Sequence, residues 1–365
     1  MKKIGISLYP AYSTEEENKR YLKKAAECNC SLLFLALLGV GEDRQSVIDR
    51  YHPITRYAKE LGYEIICDVN PSVFKHFGVN ASLFNGPLDL SFFKELEVDV
   101  LRLDLGMNDM EEAYLTRNKE GIAICLSGAN VNNHIGAVLA AGGNRDKLMG
   151  CHNYYPHRYT GVALDFFQQG TAFWNQYNLR CQAFISSNVE NAFGPWPVTE
   201  GLPTLEMHRD LPIDVQLKHY VLMGTISDVM IGNCFASDEE LEALKNVNLE
   251  MIDFRVKLAE HAPVHQVERL KMNLSRRGDR NDYILRTLES RLAKGKVEPF
   301  NTVDIKRGDV IIDNELYGQY CGEVQIALKD MKNSGKTNVI GHIREEEIFL
   351  IDYIKSSQPF TFTFI

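Results

Sequence analysis

Two stretches, EIICDVNP at residues 64–71 and VLRLDLG at residues 100–106, decide the fold that this sequence predicts. Each begins as a short apolar run, typical of a buried β-strand, and each ends in polar side chains. Six further runs have the same design: IGISLYP (4–10), SLLFLAL (31–37), IAICLSGAN (122–130), LMGCHNYYP (148–156), RCQAFISSN (180–188) and SDVMIGN (227–233). Helix-like segments separate them, and eight βα units in roughly 240 residues are the number that closes a (β/α)8 TIM barrel.

Two capping-box patterns indicate where barrel helices begin. Ser13 followed by Glu16 precedes a helical pattern after the first strand, and Ser237 followed by Glu240 precedes one after the eighth. The second of these helices would close the barrel. We therefore predict a TIM-barrel catalytic domain over residues 1–246.

A second domain is expected over residues 247–365, because a chain of 365 residues exceeds the length of about 250 that one barrel needs. Apolar and polar residues alternate in TVDIKRGDVIID (302–313), IFLIDYI (348–354) and FTFTFI (360–365), which predicts strands. A helix is expected over residues 286–293. The α/β barrel is thus predicted to be followed by a smaller, mostly β domain.

The composition of the chain limits the kinds of molecule that it is expected to bind. The 49 acidic residues outnumber the 40 lysines and arginines, and the formal charge of −9 argues against nucleic acid or a membrane surface as a partner. The first apolar run is too short for a signal sequence or a membrane span. None of the eight cysteines has redox or zinc spacing. We expect a cytoplasmic protein that acts on a small molecule, and the sequence leaves its oligomeric state, including a homo-oligomer, open.

Two aspartates are catalytic candidates at the predicted strand ends. Because side chains alternate along a strand, Asp68 and Asn70 share one face of the third strand, and Arg102 and Asp104 share one face of the fourth. Carboxylates on adjacent strands near a barrel mouth suit acid/base or nucleophilic chemistry at an anomeric carbon. Two structural alternatives stay open, an interior ion pair between Arg102 and Asp104, and Asp68 as the cap of the following helix.

Other strand ends supply candidate sugar-binding residues, and these are Tyr9, Asn70, His152, Asn153, Tyr154 and Ser187. A satisfied core histidine is the alternative for His152. It lies five residues before His157, and no histidine pair within one predicted element has the spacing of a metal site. We therefore predict neither a metal nor another cofactor.

The long loop after the seventh strand is irregular, and such loops in compact domains are usually functional. It carries Trp196 as an aromatic platform, Glu206 as a spare carboxylate, and His208 and Arg209 as donors to an anion. Because barrels often build phosphate sites from the loops after strands seven and eight, Arg209 is the first phosphate candidate. Arg158 in the strand-six loop is the second. Surface arginines paired with nearby carboxylates are the alternative for both.

Four segments carry a resemblance to a known family, and they are KIGISLYPAYSTEEENKRYLKKAAECNC (3–30), DVNPSVFKHFG (68–78), CHNYYPHRYTGVALDFF (151–167) and GPWPVTEGLPTLEMHRDLPIDVQLKHY (194–220). The sequence resembles the bacterial 6-phospho-N-acetylmuramidases, glycoside hydrolases with a barrel and a small cyclophilin-like C-terminal domain. The resemblance spans the whole chain. It implies cytoplasmic hydrolysis of 6-phospho-N-acetylmuramyl-N-acetylglucosamine, a disaccharide imported and phosphorylated during cell-wall recycling.

A glycosidase needs a carboxylic acid to protonate the leaving oxygen and a second carboxylate as nucleophile or base. We assign Asp68 and Asp104 as this pair, with Glu206 in reserve as the acid because its loop could lean over the site. Sugar hydroxyls and the acetamido group would contact Tyr9, Asn70, Arg102, His152, Asn153, Tyr154, Ser187 and Trp196. The phosphate and the lactyl carboxylate would contact Arg209, His208 and Arg158, because charge-assisted hydrogen bonds are strongest there.

Two other classes of function remain. A Schiff-base aldolase would need a lysine inside a barrel strand, and no predicted strand carries one in its interior run. A non-catalytic sensor of phosphorylated sugars would keep Trp196 and the arginines without needing the carboxylate pair. Turnover by an Asp68→Asn variant separates the sensor from the glycosidase.

Overall fold

A computed structural model describes residues 3–83, 86–287, 289–293 and 295–365. The chain divides into two compact units. The first extends to Tyr220 and includes Gly224–Asn246, and the second comprises Val221–Met223 and Val247–Ile365.

The first unit contains a closed barrel of eight parallel strands, paired in chain order with the eighth beside the first. The strands are β1 (Lys3–Leu8), β2 (Cys30–Ala36), β3 (Glu64–Val69), β4 (Val100–Leu103), β5 (Ala123–Ser127), β6 (Leu148–Cys151), β7 (Cys181–Ile185) and β8 (Asp228–Ile231). The helices are α1 (Glu15–Glu27), α2 (Arg44–Glu60), α3 (Pro71–His76), α4 (Ser91–Glu95), α5 (Asp109–Leu115), α6 (His134–Ala140), α7 (Leu164–Gln176), α8 (Ile213–Met223) and α9 (Asp238–Lys245). Short 3-10 turns lie at Arg145–Lys147 and Glu206–His208. The TIM barrel predicted from the eight apolar runs is confirmed.

The barrel interior is packed by apolar side chains that alternate along the strands. Leu32 and Phe34 of β2, Ile66 of β3 and Val100 of β4 belong to one buried cluster. Two residues further along β3 and β4, the same alternation brings Asp68 and Arg102 to the inward face at the carboxyl end. The local sequence pattern thus places polar groups directly above an apolar core.

Both predicted capping boxes exist, one of them a residue later than expected. The helix α1 starts after Thr14, whose side chain accepts from the backbone N–H of Glu17, so the expected Ser13 and Glu16 pair is wrong by one position. Ser237 and Glu240 cap α9 as predicted. Capping patterns locate a helix start well, but neighbouring Ser and Thr residues compete for the cap position.

The second unit is built on a seven-stranded sheet in the order β10-β15-β9-β14-β12-β13-β11. The strands are β9 (Ile252–Leu258), β10 (Leu274–Ser275), β11 (Ile284–Arg286), β12 (Asp309–Asp313), β13 (Val324–Ala327), β14 (Thr337–Ile343) and β15 (Pro359–Phe364). The helix α10 spans Val264–Leu270, and 3-10 helices span Glu289–Leu292, Glu315–Tyr320 and Glu345–Tyr353. A smaller, mostly β domain is confirmed.

The strands and the helix predicted for this unit can be compared with the observed elements. FTFTFI forms β15 as expected, and β12 takes up the second half of TVDIKRGDVIID. The segment 348–354 is not a strand, because its buried residues recur every third position and it lies largely in the 3-10 helix Glu345–Tyr353. The helix expected from Arg286 is also wrong, since Arg286 ends β11 and only the turn Glu289–Leu292 follows among the described residues.

Within the described part of the chain, no helix is both long enough and apolar enough to cross a membrane.

Candidate active site

Arg102 lies at the centre of a polar cluster at the carboxyl end of the barrel interior. The strands β3 and β4 pair so that Asp68 lies opposite Arg102, and Asp104 follows β4 by one residue. Nη1 of Arg102 donates to Oδ1 of Asp68 at 2.5 Å and to Oδ1 of Asp104 at 3.1 Å. Nη2 donates to the side-chain oxygen of Asn153. One guanidinium therefore brings together both predicted catalytic carboxylates and a predicted binding residue.

The shared guanidinium also limits the distance between the two carboxylates. Because Oδ1 of Asp68 and Oδ1 of Asp104 lie 2.5 and 3.1 Å from the same nitrogen, the two oxygens are separated by no more than the sum of those distances, about 5.6 Å. Retaining glycosidases hold their two carboxyl groups roughly 5–5.5 Å apart, whereas inverting enzymes leave about 6.5–9.5 Å for a water molecule. For these two oxygens, the upper limit lies below the inverting range.

The two carboxylates differ in their surroundings. The side chain of Asp68 is 1% exposed, while that of Asp104 is 31% exposed. Burial raises the pKa of Asp68 to about 7 even though Arg102 opposes the rise, and the charge of Asp104 adds to it. A carboxyl that is half protonated near neutral pH can give and take a proton, and a more exposed carboxylate can meet a substrate directly.

Two tyrosines flank the carboxylates. The Tyr9 hydroxyl donates to the carbonyl of Gly232 at 2.5 Å, which fixes it over the end of β8. The hydroxyl of Tyr154 is buried close to that of Tyr9 and to the Asp68 carboxyl. Burial raises the pKa of both tyrosines, so both hydroxyls remain protonated hydrogen-bond donors at neutral pH.

A cavity of about 230 Å³ opens beside the cluster, lined by Tyr9 and by the loops after β1 and β2. Ala36, which pairs with Asp68 across β2 and β3, forms part of its wall. Sequence reasoning missed this recess, whose other lining residues include Tyr12, Gly39 and Gly41. The closely spaced glycines were the one available signal, because their backbones leave room where side chains would fill it.

Two predicted binding residues have mainly structural contacts. The side-chain oxygen of Asn70 caps α3 by accepting from the backbone N–H groups of Ser72 and Val73, so Asn70, not Asp68, fills the capping role. The Ser187 hydroxyl donates to Glu240 at 2.6 Å, and its oxygen accepts from the backbone N–H of Val189. The Ser187 hydroxyl therefore stabilises the loop after β7 through one donated and one accepted hydrogen bond.

Glu206 and Arg209 form a structural pair and do not support their predicted roles. The Glu206 carboxylate accepts from Arg209 and from the backbone N–H groups of Tyr159 and Gly161. The hydrogen bonds from Arg209 are the main cause that lowers the pKa of Glu206 to about 2, so this carboxylate stays ionised and is unsuited to act as an acid. Arg209 is 2% exposed and also donates to four backbone carbonyls, which leaves it poorly placed to hold a phosphate.

Arg158 and Trp196 are more accessible. Arg158 makes a two-bond contact with Asp210 at 2.6 and 3.0 Å, yet 35% of its side chain is exposed. It lines a cavity of about 470 Å³ in the loop after β7. Trp196 is 42% exposed, as an aromatic platform would be. Of the two predicted phosphate candidates, Arg158 is the one that a ligand can reach.

The predicted histidines lie in the core. His152 is fully buried, contacts Thr171 at 2.8 Å, and has its pKa lowered to about 3 by burial. His208 is fully buried against His219, at 2.8 Å between ring nitrogens, and burial lowers its pKa well below the ordinary value. Both rings are neutral at pH 7, and the structural alternative for His152 therefore has the stronger support. Among the described residues, no group of three or more His, Cys, Asp or Glu side chains is placed to hold a metal ion.

Comparison with known proteins places this chain in a family. The N-terminal model of the 6-phospho-N-acetylmuramidases matches residues 4–246, and the C-terminal model matches residues 252–363. The chain belongs to the 6-phospho-N-acetylmuramidase family. The resemblance seen in the sequence is thereby confirmed.

Solved structures of similar chains agree with the fold of this family member. A crystal structure of an uncharacterized B. cereus protein is 39% identical, covers 100% of both chains and has a TM-score of 0.89. A conserved Enterococcus faecalis protein with an unknown function is 24% identical over 99% of this chain and 96% of its own, with a TM-score of 0.73, which shows the fold alone. No match to a curated protein was found.

Proposed function

We propose that this family member hydrolyses 6-phospho-N-acetylmuramyl-N-acetylglucosamine to N-acetylmuramic acid 6-phosphate and N-acetylglucosamine, in the cytoplasmic recycling of cell-wall fragments. The observation that carries the proposal is the carboxylate pair on Arg102, one member buried with a pKa near 7 and the other half-exposed. Two carboxyl groups in different surroundings at a barrel mouth, one buried and one accessible, suit the two roles that glycoside hydrolysis requires. Membership of the 6-phospho-N-acetylmuramidase family supports this choice of substrate.

In the proposed reaction, Asp68 is the general acid and Asp104 the nucleophile. The Asp68 proton passes to the glycosidic oxygen as the bond from that oxygen to the anomeric carbon breaks, and N-acetylglucosamine leaves. The Asp104 carboxylate forms a bond to the anomeric carbon. Asp68, now ionised, takes a proton from water as that water displaces Asp104, which regenerates both groups and retains the anomeric configuration.

Arg102 would position both carboxylates and contribute charge balance. With both aspartates ionised, the three side chains carry one net negative charge, which favours the positive charge that develops on the sugar ring in the transition state. Asn153, Tyr9 and Tyr154 surround this point and would contact sugar hydroxyls or the acetamido group. Arg158 is the proposed contact for the phosphate.

The first prediction tests the carboxylates with two variants. Asp68→Asn and Asp104→Asn should each lower kcat on the phosphorylated disaccharide by at least about 10²-fold, because a positioned proton-transfer or nucleophilic group contributes that much or more. On an aryl glycoside whose leaving group needs no proton, Asp68→Asn should recover most of its loss in kcat/KM, which reports the first step, but not in kcat, because the second step still lacks its base; Asp104→Asn should recover neither. Steady-state kinetics on both substrates measures this difference.

Asp228→Asn is the matched control, since Asp228 is a buried aspartate paired with Arg180 at 2.8 Å in the same barrel. It should lower the unfolding temperature and leave kcat nearly unchanged. NMR of the first-formed product should show the anomeric configuration of the substrate retained. Near-normal kcat in both active-site variants would contradict the assignment of Asp68 and Asp104 as the catalytic pair. A product of inverted configuration would exclude Asp104 as the nucleophile.

A further inference from the structure

The second unit contains a cavity of about 420 Å³ on one face of its sheet. Cross-strand pairing places its wall residues side by side, with Ile311 opposite Gln325 and Asp313 opposite Thr337. Small-molecule sites occupy roughly 300–1,000 Å³ and combine apolar surface with a few convergent polar groups. This cavity has that size and, as its lining shows, that composition.

Buried polar side chains form one wall of the cavity. Asp313, Gln325 and Thr337 are 8%, 3% and 7% exposed. The Asp313 carboxylate accepts from the Gln325 amide at 3.0 Å and from the Thr337 hydroxyl at 3.1 Å. Each carboxylate oxygen has a further lone pair, so Asp313 can still accept from a ligand. The wall therefore offers acceptors to a ligand while its own polar groups are already paired with one another.

Another part of the lining is apolar and aromatic. Ile305 and Ile311 belong to a buried apolar cluster against which Met331 packs. Tyr317 and Tyr320 lie at the edge with 38% and 40% of their surface exposed. Flat rings beside hydrogen-bond acceptors suit a molecule with one apolar face and several hydroxyl groups.

The cations that line this cavity are already neutralised by carboxylates. Arg286 makes two hydrogen bonds to the buried Glu323, at 2.6 and 3.0 Å. Lys332 contacts Asp304 at 2.5 Å. An anionic ligand would lie against the buried Asp313 carboxylate, so this wall favours an uncharged molecule.

We propose that this cavity binds an uncharged pyranose sugar, whose hydroxyl groups donate to Asp313 and whose apolar ring face packs on Tyr320. The site is separate from the carboxylate pair of the barrel and does not depend on glycosidase activity. It gives the C-terminal domain a ligand-binding role of its own.

The test uses the full-length protein with glucose and N-acetylglucosamine as probes, and glucose 6-phosphate as the charged comparison. Titrations followed by NMR should show saturable binding of at least one uncharged sugar, and weaker binding of glucose 6-phosphate than of glucose. Ser334 lies exposed in the cavity lining, so Ser334→Trp should block entry and weaken binding at least about tenfold. Ser356→Trp, on an exposed serine of the same unit outside the lining, should leave binding unchanged.

Two further variants test the contacts themselves. Asp313→Asn should weaken binding about tenfold through loss of a charged acceptor. Tyr320→Ala should weaken it while Tyr320→Phe keeps it, because the ring supplies the contact. Unchanged unfolding temperatures show that each variant is folded. The proposal is overturned if neither uncharged sugar binds, if the phosphorylated sugar binds more tightly, or if Ser334→Trp leaves binding intact. An inactive Asp68→Asn variant should still bind the sugar, and Ser334→Trp should lose this binding while it keeps full glycosidase activity, which separates this proposal from the glycosidase.

Discussion

At the scale of single residues, the environment of Asp68 makes the pH dependence of the reaction a direct test. Burial raises the pKa of this carboxyl to about 7, and the charge of Asp104 contributes to the rise. A general acid must carry its proton when substrate binds, so kcat/KM should fall as pH rises above about 7. In Asp104→Asn the neighbouring charge is gone, and the pKa of Asp68 should move to lower pH.

Carbon-13 NMR of the aspartate carboxyl groups measures this shift independently of activity. The titration midpoint of Asp68 should lie near pH 7 in the unmodified protein and lower in Asp104→Asn. Asp228→Asn serves as the control and should leave the midpoint where it was. An Asp68 midpoint near the ordinary value of about 3.9 would remove the basis for assigning it as the acid.

Arg209 and Arg158 should behave in opposite ways when each is replaced by alanine. Loss of Arg209 leaves Glu206 and several carbonyls without their donor, so it should destabilise the fold by at least about 2 kcal/mol. It should lower kcat/KM equally for the phosphorylated and the unphosphorylated disaccharide.

Loss of the more exposed Arg158 should leave the unfolding temperature almost unchanged. It should lower kcat/KM by roughly 10- to 100-fold for the phosphorylated substrate alone, because the lost partner is absent from the other one. Thermal unfolding and kinetics on the two substrates measure both effects. If Arg209→Ala instead lowers kcat/KM for the phosphorylated substrate alone, Arg209 is the phosphate contact.

The residues that sequence reasoning placed correctly are those governed by strand alternation. Asp68, Arg102 and Asp104 could be predicted to meet because a period of two and a strand end fix where a side chain points. Glu206 and Arg209 could not be placed in this way. Besides each other, they bond to backbone groups of a different loop, and no local pattern encodes how two irregular loops approach each other.

At the scale of secondary structure elements, the capping box of α9 does more than start a helix. Glu240 accepts from the backbone N–H of Ser237, and it also accepts from the Ser187 hydroxyl at 2.6 Å and from the backbone N–H of Asn188 at 2.9 Å. One carboxylate therefore joins the start of α9 to the loop after β7. Glu17, in the equivalent position of α1, bonds only within its own capping box in the contacts described.

This difference gives a matched pair of variants. Glu240→Ala should lower the unfolding temperature more than Glu17→Ala, because it removes the cap and also the two bonds to the loop. It should also increase amide hydrogen exchange at Asn188, whose backbone N–H loses its acceptor, and Glu17→Ala should leave that exchange unchanged. Equal temperature shifts in the two variants would mean that the bonds to the loop add nothing to stability.

The strands and helices were predictable where the residue types of a segment and the spacing of its apolar residues indicated the same kind of element. Continuous apolar runs identified the barrel strands because parallel strands are covered on both faces. IFLIDYI failed because alternation over seven residues does not exclude spacing by three, and the buried Ile348 and Ile351 follow the second pattern.

At the scale of the whole molecule, the eight cysteines predict how the native protein reacts with thiol reagents. All eight are free, and seven are buried, with Cys321 only half-buried. Burial raises the pKa of Cys30 to about 12 and also raises that of Cys67, so these thiols are scarcely ionised at neutral pH.

A disulfide reagent should therefore label about one thiol per native chain, at Cys321, and all eight after unfolding. Cys321→Ser is the control and should remove the fast labelling. A reductant should leave the unfolding temperature unchanged. Rapid labelling of several thiols in the native protein would contradict the burial of the barrel cysteines.

The order of strands in the C-terminal sheet has a consequence for how the protein behaves at high concentration. The barrel closes on itself, whereas the seven-stranded sheet, among the described residues, ends in β10, with two residues, and β11, with three, and a backbone hydrogen bond from Arg277 to Arg286 at 3.0 Å links the chain after β10 to β11. Another chain can add a strand to an unpaired strand edge. A longer edge strand offers more backbone N–H and C=O groups for such pairing. By placing its shortest strands outermost, this sheet offers little backbone for such pairing, which protects it from aggregation.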